Sequence, residues 1–289
     1  MPSETILSAL IGRIGVPVER RVAILGGERT SYLEAGSGDP VVLLHGGDAG
    51  AGGIRWLPVI GPLSRHFRVL APDMPGYGES AKPRAAYDRP YFAQWLKLFM
   101  AEMGITPARL VAHSLGGAVA LQYALEAPGA VRRLVLVNAA GLGQSSAKVS
   151  LPLMLRMMWN NLLPTPAASE WFLSHEVLFD PCRVGEELLE IEAYGRAVIT
   201  GSGGRRVFWR GRGRAIKPFT MEQLGKITPR TLIIWGAKDR NFPLSAAQAA
   251  ARVMPDAGLH VIEKAKHLCY YDEPEEFQRV LMGYLTGGS

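Results

Sequence analysis

Cysteine is nearly missing from this sequence: two residues, Cys182 and Cys269, in a chain of 289. That count implies neither a disulfide framework nor a cysteine metal cluster. Long hydrophobic runs are missing as well. No window approaches the ~18 uncharged apolar residues that a membrane-crossing helix needs, so stable membrane insertion is not expected. The opening stretch, "MPSETILSALIGRIG", lacks a basic start followed by a long apolar run, and so makes a poor signal peptide. A reducing, cytoplasmic compartment is the expectation. Metal-ligand spacing is absent from His66, His175 and His260, and no metal is expected.

Basic charge is in excess. The chain carries 32 Lys and Arg against 26 Asp and Glu, a formal charge of +6. Much of it lies in "RRVFWRGRGRAIK" (205–217). A solvated surface segment accounts for this stretch; the sharper alternative is attraction of an acidic substrate or a membrane surface. No recognition motif accompanies the charge, so nucleic acid is not an expected partner. Apolar residues make up 48%, enough for one large core.

Short β-branched runs alternate with helical patterns. The segment 22–36 predicts a hairpin closed by Gly26-Gly27. "PVVLLHGG" (40–47) is almost continuously apolar, as a strand buried on both faces should be. Runs at 67–73, 109–113, 132–139, 231–237 and 259–265 repeat the pattern, with helices predicted over 91–104, 116–129, 245–254 and 275–285. Such alternation predicts an α/β fold: a mostly parallel sheet with helices on both faces. Between 142 and 222 the alternation stops and no convincing strand remains. This part reads as a helical lid inserted late in the chain, dividing a core of residues 1–141 and 223–289.

One decapeptide raises a question of its own. In "LVAHSLGGAV" (110–119) an apolar strand stops at a His-Ser pair and two glycines follow. A serine between a strand and a helix sits on a sharp, unfavourable turn, costing on the order of 1–3 kcal/mol. Only small neighbours let the two elements pack so closely. Ala112, Gly116 and Gly117 supply them. The layout lifts the Ser114 hydroxyl to the C-terminal edge of the sheet and aims the first helix amides at whatever it attacks. It matches the Gly-x-Ser-x-Gly nucleophile elbow, with Ala in the first place. A serine N-cap before a glycine-rich helix start is the other reading these residues allow.

A hydroxyl needs a base, and the base needs a carboxylate to orient it. Asp239 follows the strand in "LIIWGAKDRNFP" (232–243), and His267 follows the next one in "HVIEKAKHLCYYDEP" (260–274). Attack on a carbonyl also needs donors for an oxyanion. Gly47, in the glycine-rich turn "LLHGGDAG" (43–50), and Leu115, just after the serine, offer backbone amides for it.

These pieces together resemble the α/β-hydrolase fold, serine-nucleophile branch. The matching motifs are "LLHGG" (43–47), "VLAPDMPGYGES" (69–80), "VAHSLGG" (111–117), "LVLVNA" (134–139), "WGAKDRNFP" (235–243) and "KHLCYYDEPEEF" (266–277). The resemblance spans roughly 20–141 and 223–286 and implies a Ser114–His267–Asp239 triad with no metal or organic cofactor. Asp73 precedes the serine, the wrong order for the acid, and is expected to tie its own loop. His45 is expected to orient the oxyanion loop, and His113 to pack sideways beside the nucleophile. Met154, Met158 and Trp159 are read either as core or as the lining of an acyl or aromatic pocket. Phe242 and Leu268 are expected pocket walls.

Two enzyme readings remain. The first is a serine ester hydrolase acting on a small apolar or weakly anionic substrate. The second is a carbon–carbon bond hydrolase acting on vinylogous diketo acids from aromatic ring cleavage, a group that "HGGDAGAGG" (45–53) and "FDP…EELLE" (179–190) resemble. That group usually carries Trp after the histidine, Arg where the simplest register places Glu192, and Asn before the nucleophile. This chain has Leu268, Glu192 and His113 there, with Arg196 a substitute in a shifted register. An Asp nucleophile, as in epoxide- or haloalkane-opening relatives, is excluded by Ser114. A ligand receptor of this fold is the reading outside enzymology. A homodimer is left open.

Overall fold

The computed structural model describes residues 2–47, 52–142, 165–202 and 215–287. Its frame is one eight-stranded sheet in the order β1-β2-β4-β3-β5-β6-β7-β8. β1 (Val18–Leu25) and β2 (Glu28–Ala35) form an antiparallel hairpin. Gly26 and Gly27 close it with φ of 57° and 87°, the left-handed pair that a two-residue hairpin turn demands. β2 runs antiparallel to β4 (Arg68–Pro72). From there β3 (Pro40–Leu44), β5 (Ala108–His113), β6 (Val131–Val137), β7 (Arg230–Gly236) and β8 (Ala257–Ile262) are parallel neighbours. The α/β class and the mostly parallel sheet follow the sequence pattern.

Side-chain alternation explains the two-sided core. Along β5, Leu110 and Ala112 face one apolar cluster while Val111 faces the other. β6 repeats this with Leu134 and Leu136 against Val135 and Val137. Helices α3 (Arg89–Glu102) and α4 (Leu115–Glu126) cover the first face. Helices α1 (Pro2–Gly12) and α2 (Leu57–Ser64), with the C-terminal α10 (Pro274–Thr286), cover the second. β8 stops at Ile262, earlier than its sequence run suggests. Glu263 and Lys264 are exposed there, and the chain turns towards His267.

Between β6 and β7 the described residues contain helices and turns but no strand: α5 (Pro166–Phe172), a π-helical turn (Leu173–Val177) and α6 (Glu186–Ser202) lead the segment. Short helices α7 (Met221–Leu224), α8 (Leu244–Val253) and α9 (Cys269–Asp272) complete the chain. Met154, Met158, Trp159 and the basic residues 205–214 lie outside the described residues. Among the described residues, no helix is long and apolar enough to cross a membrane.

The strand order places a switch point between β3 and β5, where successive connections leave in opposite directions. Loops there are cross-tied by Asp73, just past β4. Its carboxylate accepts the amides of Gly53 at 2.7 Å and Glu79 at 2.8 Å, and its carbonyl accepts the Ser80 hydroxyl at 2.7 Å. Burial raises this carboxyl from 3.8 to about 6, against the pull of those amides. The native state therefore holds the extra proton between pH 4 and 6, and stability contributed by the protonated group is lost as pH rises through that window. Wild type should lose on the order of 1–3 kcal/mol relative to Asp73→Asn between pH 4 and 6.5, read by urea unfolding. An unchanged or rising difference contradicts the assignment.

Candidate active site

Ser114 sits where β5 ends and α4 begins, with φ 50° and ψ −117°. This is the strained region for any residue with a Cβ. The turn is fixed from both sides. The Ser114 amide donates to Val137 O at 3.0 Å, and its carbonyl accepts Gly117 N and Ala140 N, each at 2.9 Å. Close approach of α4 to the sheet requires the two glycines. A Cβ on Gly116 would stand 2.6 Å from Leu44 O, and one on Gly117 would collide with the Ala139 methyl. Both obstacles are backbone or rigid small groups, so little can give way. Leu115 is the first residue of α4, and its N–H has no intrahelical acceptor. Gly47 is buried in the turn after β3, on the other side of the switch point.

Asp239, after β7, is fully enclosed. Its Oδ2 accepts from Asn138 Nδ2 at 2.7 Å and faces His267 Nδ1 at 3.0 Å. Its Oδ1 accepts the amides of Asn241 at 2.7 Å and Phe242 at 3.3 Å. A carboxylate can only accept, so His267 Nδ1 carries the hydrogen of this bond. Asn138 is the residue that sequence reasoning passed over. It lies inside a matched motif, but only its φ of 41° and its amide bond to Asp239 reveal its part. Among the described residues, no hydrogen bond joins Ser114 Oγ to His267.

The remaining histidines are structural neighbours of the site. His45 accepts Met74 N at Nε2, 2.9 Å, so its Nδ1 donates to Gly46 O at 2.6 Å. Burial pushes its pKa down to about 4, and it stays neutral. His113 donates from Nε2 to His267 O at 3.1 Å, and the two rings lie 4.7 Å apart. Burial first, then the His267 charge, hold His113 far below the usual imidazole range. Gly46 fits between these groups only for want of a side chain: a Cβ there would stand 2.9 Å from His113 Nδ1 and 3.2 Å from Ser114 Cβ.

The expected wall residues separate. Phe242 places its ring 5.7 Å from the His267 ring. Leu268 is buried in the apolar cluster beneath α10. Arg196, on α6, donates to Ser169 Oγ at 2.6 Å and is half-buried. Glu192, one turn earlier, is paired with Arg55 of the 3₁₀ turn Gly52–Trp56, at 2.5 Å.

A model of the alpha/beta hydrolase fold matches residues 39–274. The chain belongs to that family. This hydrolase is 32% identical to a 2-hydroxy-6-oxo-6-phenylhexa-2,4-dienoate hydrolase of Comamonas testosteroni over 266 residues, covering 88% of this chain and 90% of that protein. It is similar to the solved meta-cleavage product hydrolase of Pseudomonas fluorescens, with TM-score 0.79, 25% identity, and 93% and 98% of the two chains covered. A carboxylesterase of Bacillus subtilis shares the fold, with TM-score 0.80, 22% identity, and 99% and 98% covered.

Backbone strain at Ser114 is measurable apart from any chemistry. Ser114→Gly removes the Cβ that opposes φ 50°, whereas Ser114→Ala keeps it. The glycine variant should be the more stable of the two by about 1 kcal/mol, despite its larger unfolded-state entropy. Denaturant unfolding of the pair reads this directly, and an alanine variant of equal or greater stability would show the turn to be relaxed.

Proposed function

We propose that this hydrolase cleaves a carboxylic ester through an acyl-enzyme formed on Ser114. The observation that carries the reading is the chain of contacts running from Asn138 through Asp239 to His267 Nδ1, beside a serine held on a strained turn. In the proposed cycle, His267 Nε2 takes the Ser114 proton as Oγ attacks the ester carbonyl. The oxyanion receives the Gly47 and Leu115 amides, worth ~10²–10³ in rate for a single donor. Asp239 holds the imidazole in one tautomer and stabilises the imidazolium. The proton passes to the leaving alkoxide. Water then attacks the acyl-enzyme with His267 again as base, and Ser114 regains its proton. Residues 142–222 would act as a lid over this edge of the sheet, in the cytoplasm.

Carbon–carbon cleavage of a vinylogous diketo acid is the second reading, favoured by the Comamonas testosteroni relative, a 2-hydroxy-6-oxo-6-phenylhexa-2,4-dienoate hydrolase. Against it stands, among the described residues, the engagement of two arginines. Arg55 is taken by Glu192, and Arg196 is engaged with Ser169. The neutral imidazoles of His45 and His113 add no positive charge.

Release of p-nitrophenol from a short-chain acyl ester tests the reading. Wild type should turn over, and Ser114→Ala should fall by at least ~10³-fold. A wild type inactive on esters that bleaches a coloured dienolate would transfer the assignment to carbon–carbon cleavage. Equal activity in both proteins would remove Ser114 as nucleophile.

A further inference from the structure

Arg55 and Glu192 are 137 residues apart in sequence and 2.5 Å apart in space. Both are almost wholly withdrawn from solvent, with side-chain exposures of 2% and 7%. One lies on the turn that follows the β3 loop, the other on the inserted helix α6. Two ions taken out of water are costly, and such a pair holds only because each cancels the other. Its link to the site runs through the neighbouring Trp56. The Arg55 charge reaches both His45 and His113 and helps hold them neutral. Trp56, the next residue, sets its ring edge-on to His113 at 6.3 Å and stacks on Tyr270 at 4.8 Å. Arg196, four residues after Glu192, faces Ser169 and is half-exposed, so solvent screens it far more than the enclosed pair.

We propose that the Arg55–Glu192 pair sets the charge preference of the site, making this an enzyme for uncharged acyl groups that rejects acyl groups bearing a carboxylate. An acyl carboxylate that reached the pair would find Arg55 already bound and the Glu192 carboxylate beside it. A neutral acyl group has nothing to displace. Selectivity here comes from the repulsive partner as much as from any attractive contact. The inference rests on the ester reading above and names its substrate class. Glu192 and Arg55 are specificity-determining residues, not participants in the chemistry.

The test compares p-nitrophenyl butyrate with the p-nitrophenyl monoester of glutaric acid, the same acyl chain ending in a carboxylate, at low ionic strength. Wild type should prefer the neutral ester in kcat/KM by about 30-fold, Glu192→Gln should narrow that ratio by about tenfold, and Arg55→Gln should widen it. A merely structural pair would lower both substrates together in both variants, leaving the ratio fixed, and that result overturns the inference. Should either variant fail to fold, the wild-type ratio decides: equal turnover of the two esters overturns the charge preference and leaves the ester reading standing. Turnover of neither ester overturns both.

Discussion

A carboxylate with no exposed surface must have its lone pairs filled, and Asp239 imposes that requirement on the whole edge of the sheet. Its two oxygens take four partners: Asn138 Nδ2 and His267 Nδ1 on one, the Asn241 and Phe242 amides on the other. Those partners come from the ends of β6, β7 and β8. The parallel pairing of these strands brings their C-terminal ends to one line, so three separate loops can converge on one group. Asn138 accepts a left-handed backbone to do so, and its side-chain Oδ1 accepts the Gly236 amide at 3.3 Å. Satisfying a buried charge and orienting an imidazole are here the same act.

The serine side of the site is governed by distance rather than charge. α4 approaches β3 and β6 so closely that only glycine fits at 116 and 117. The same crowding seats Gly46 against His113, and His113 in turn holds the His267 carbonyl. The helical insert joins in through backbone and side-chain ties. His267 N donates to Val177 O at 3.0 Å, and the Lys266 and Phe179 amides share the Asp272 carboxylate at 2.8 and 2.7 Å. The loop that carries His267 is thereby bonded to the π-helical turn of the insert.

Much of this frame is legible in the residues. Strands β3 to β7 declare themselves as apolar runs because they are buried on both faces, and Gly26-Gly27 marks its hairpin because no other pair accepts both angles so cheaply. Ser114 stands out through its small neighbours, and Asp239 and His267 through their order after successive strands. Other parts leave no periodic trace. α2 contains Pro58, Gly61 and Pro62, which read as turn signals, yet Pro58 lies in the first turn, where its missing N–H costs little. β8 is half-exposed, so its boundary is blurred. Asn138 and the Arg55–Glu192 pair act through partners 101 and 137 residues away, a separation no local pattern encodes.

The central claim is that the strained turn and the Asp239-held imidazole together make Ser114 a nucleophile. Stoichiometric reaction with a p-nitrophenyl alkylphosphonate, followed by peptide mass spectrometry, tests it without assuming the natural substrate. The account predicts one phosphonyl group per chain, attached to Ser114, with release of one equivalent of p-nitrophenol. An unlabelled chain, or a label on any other residue, would contradict it.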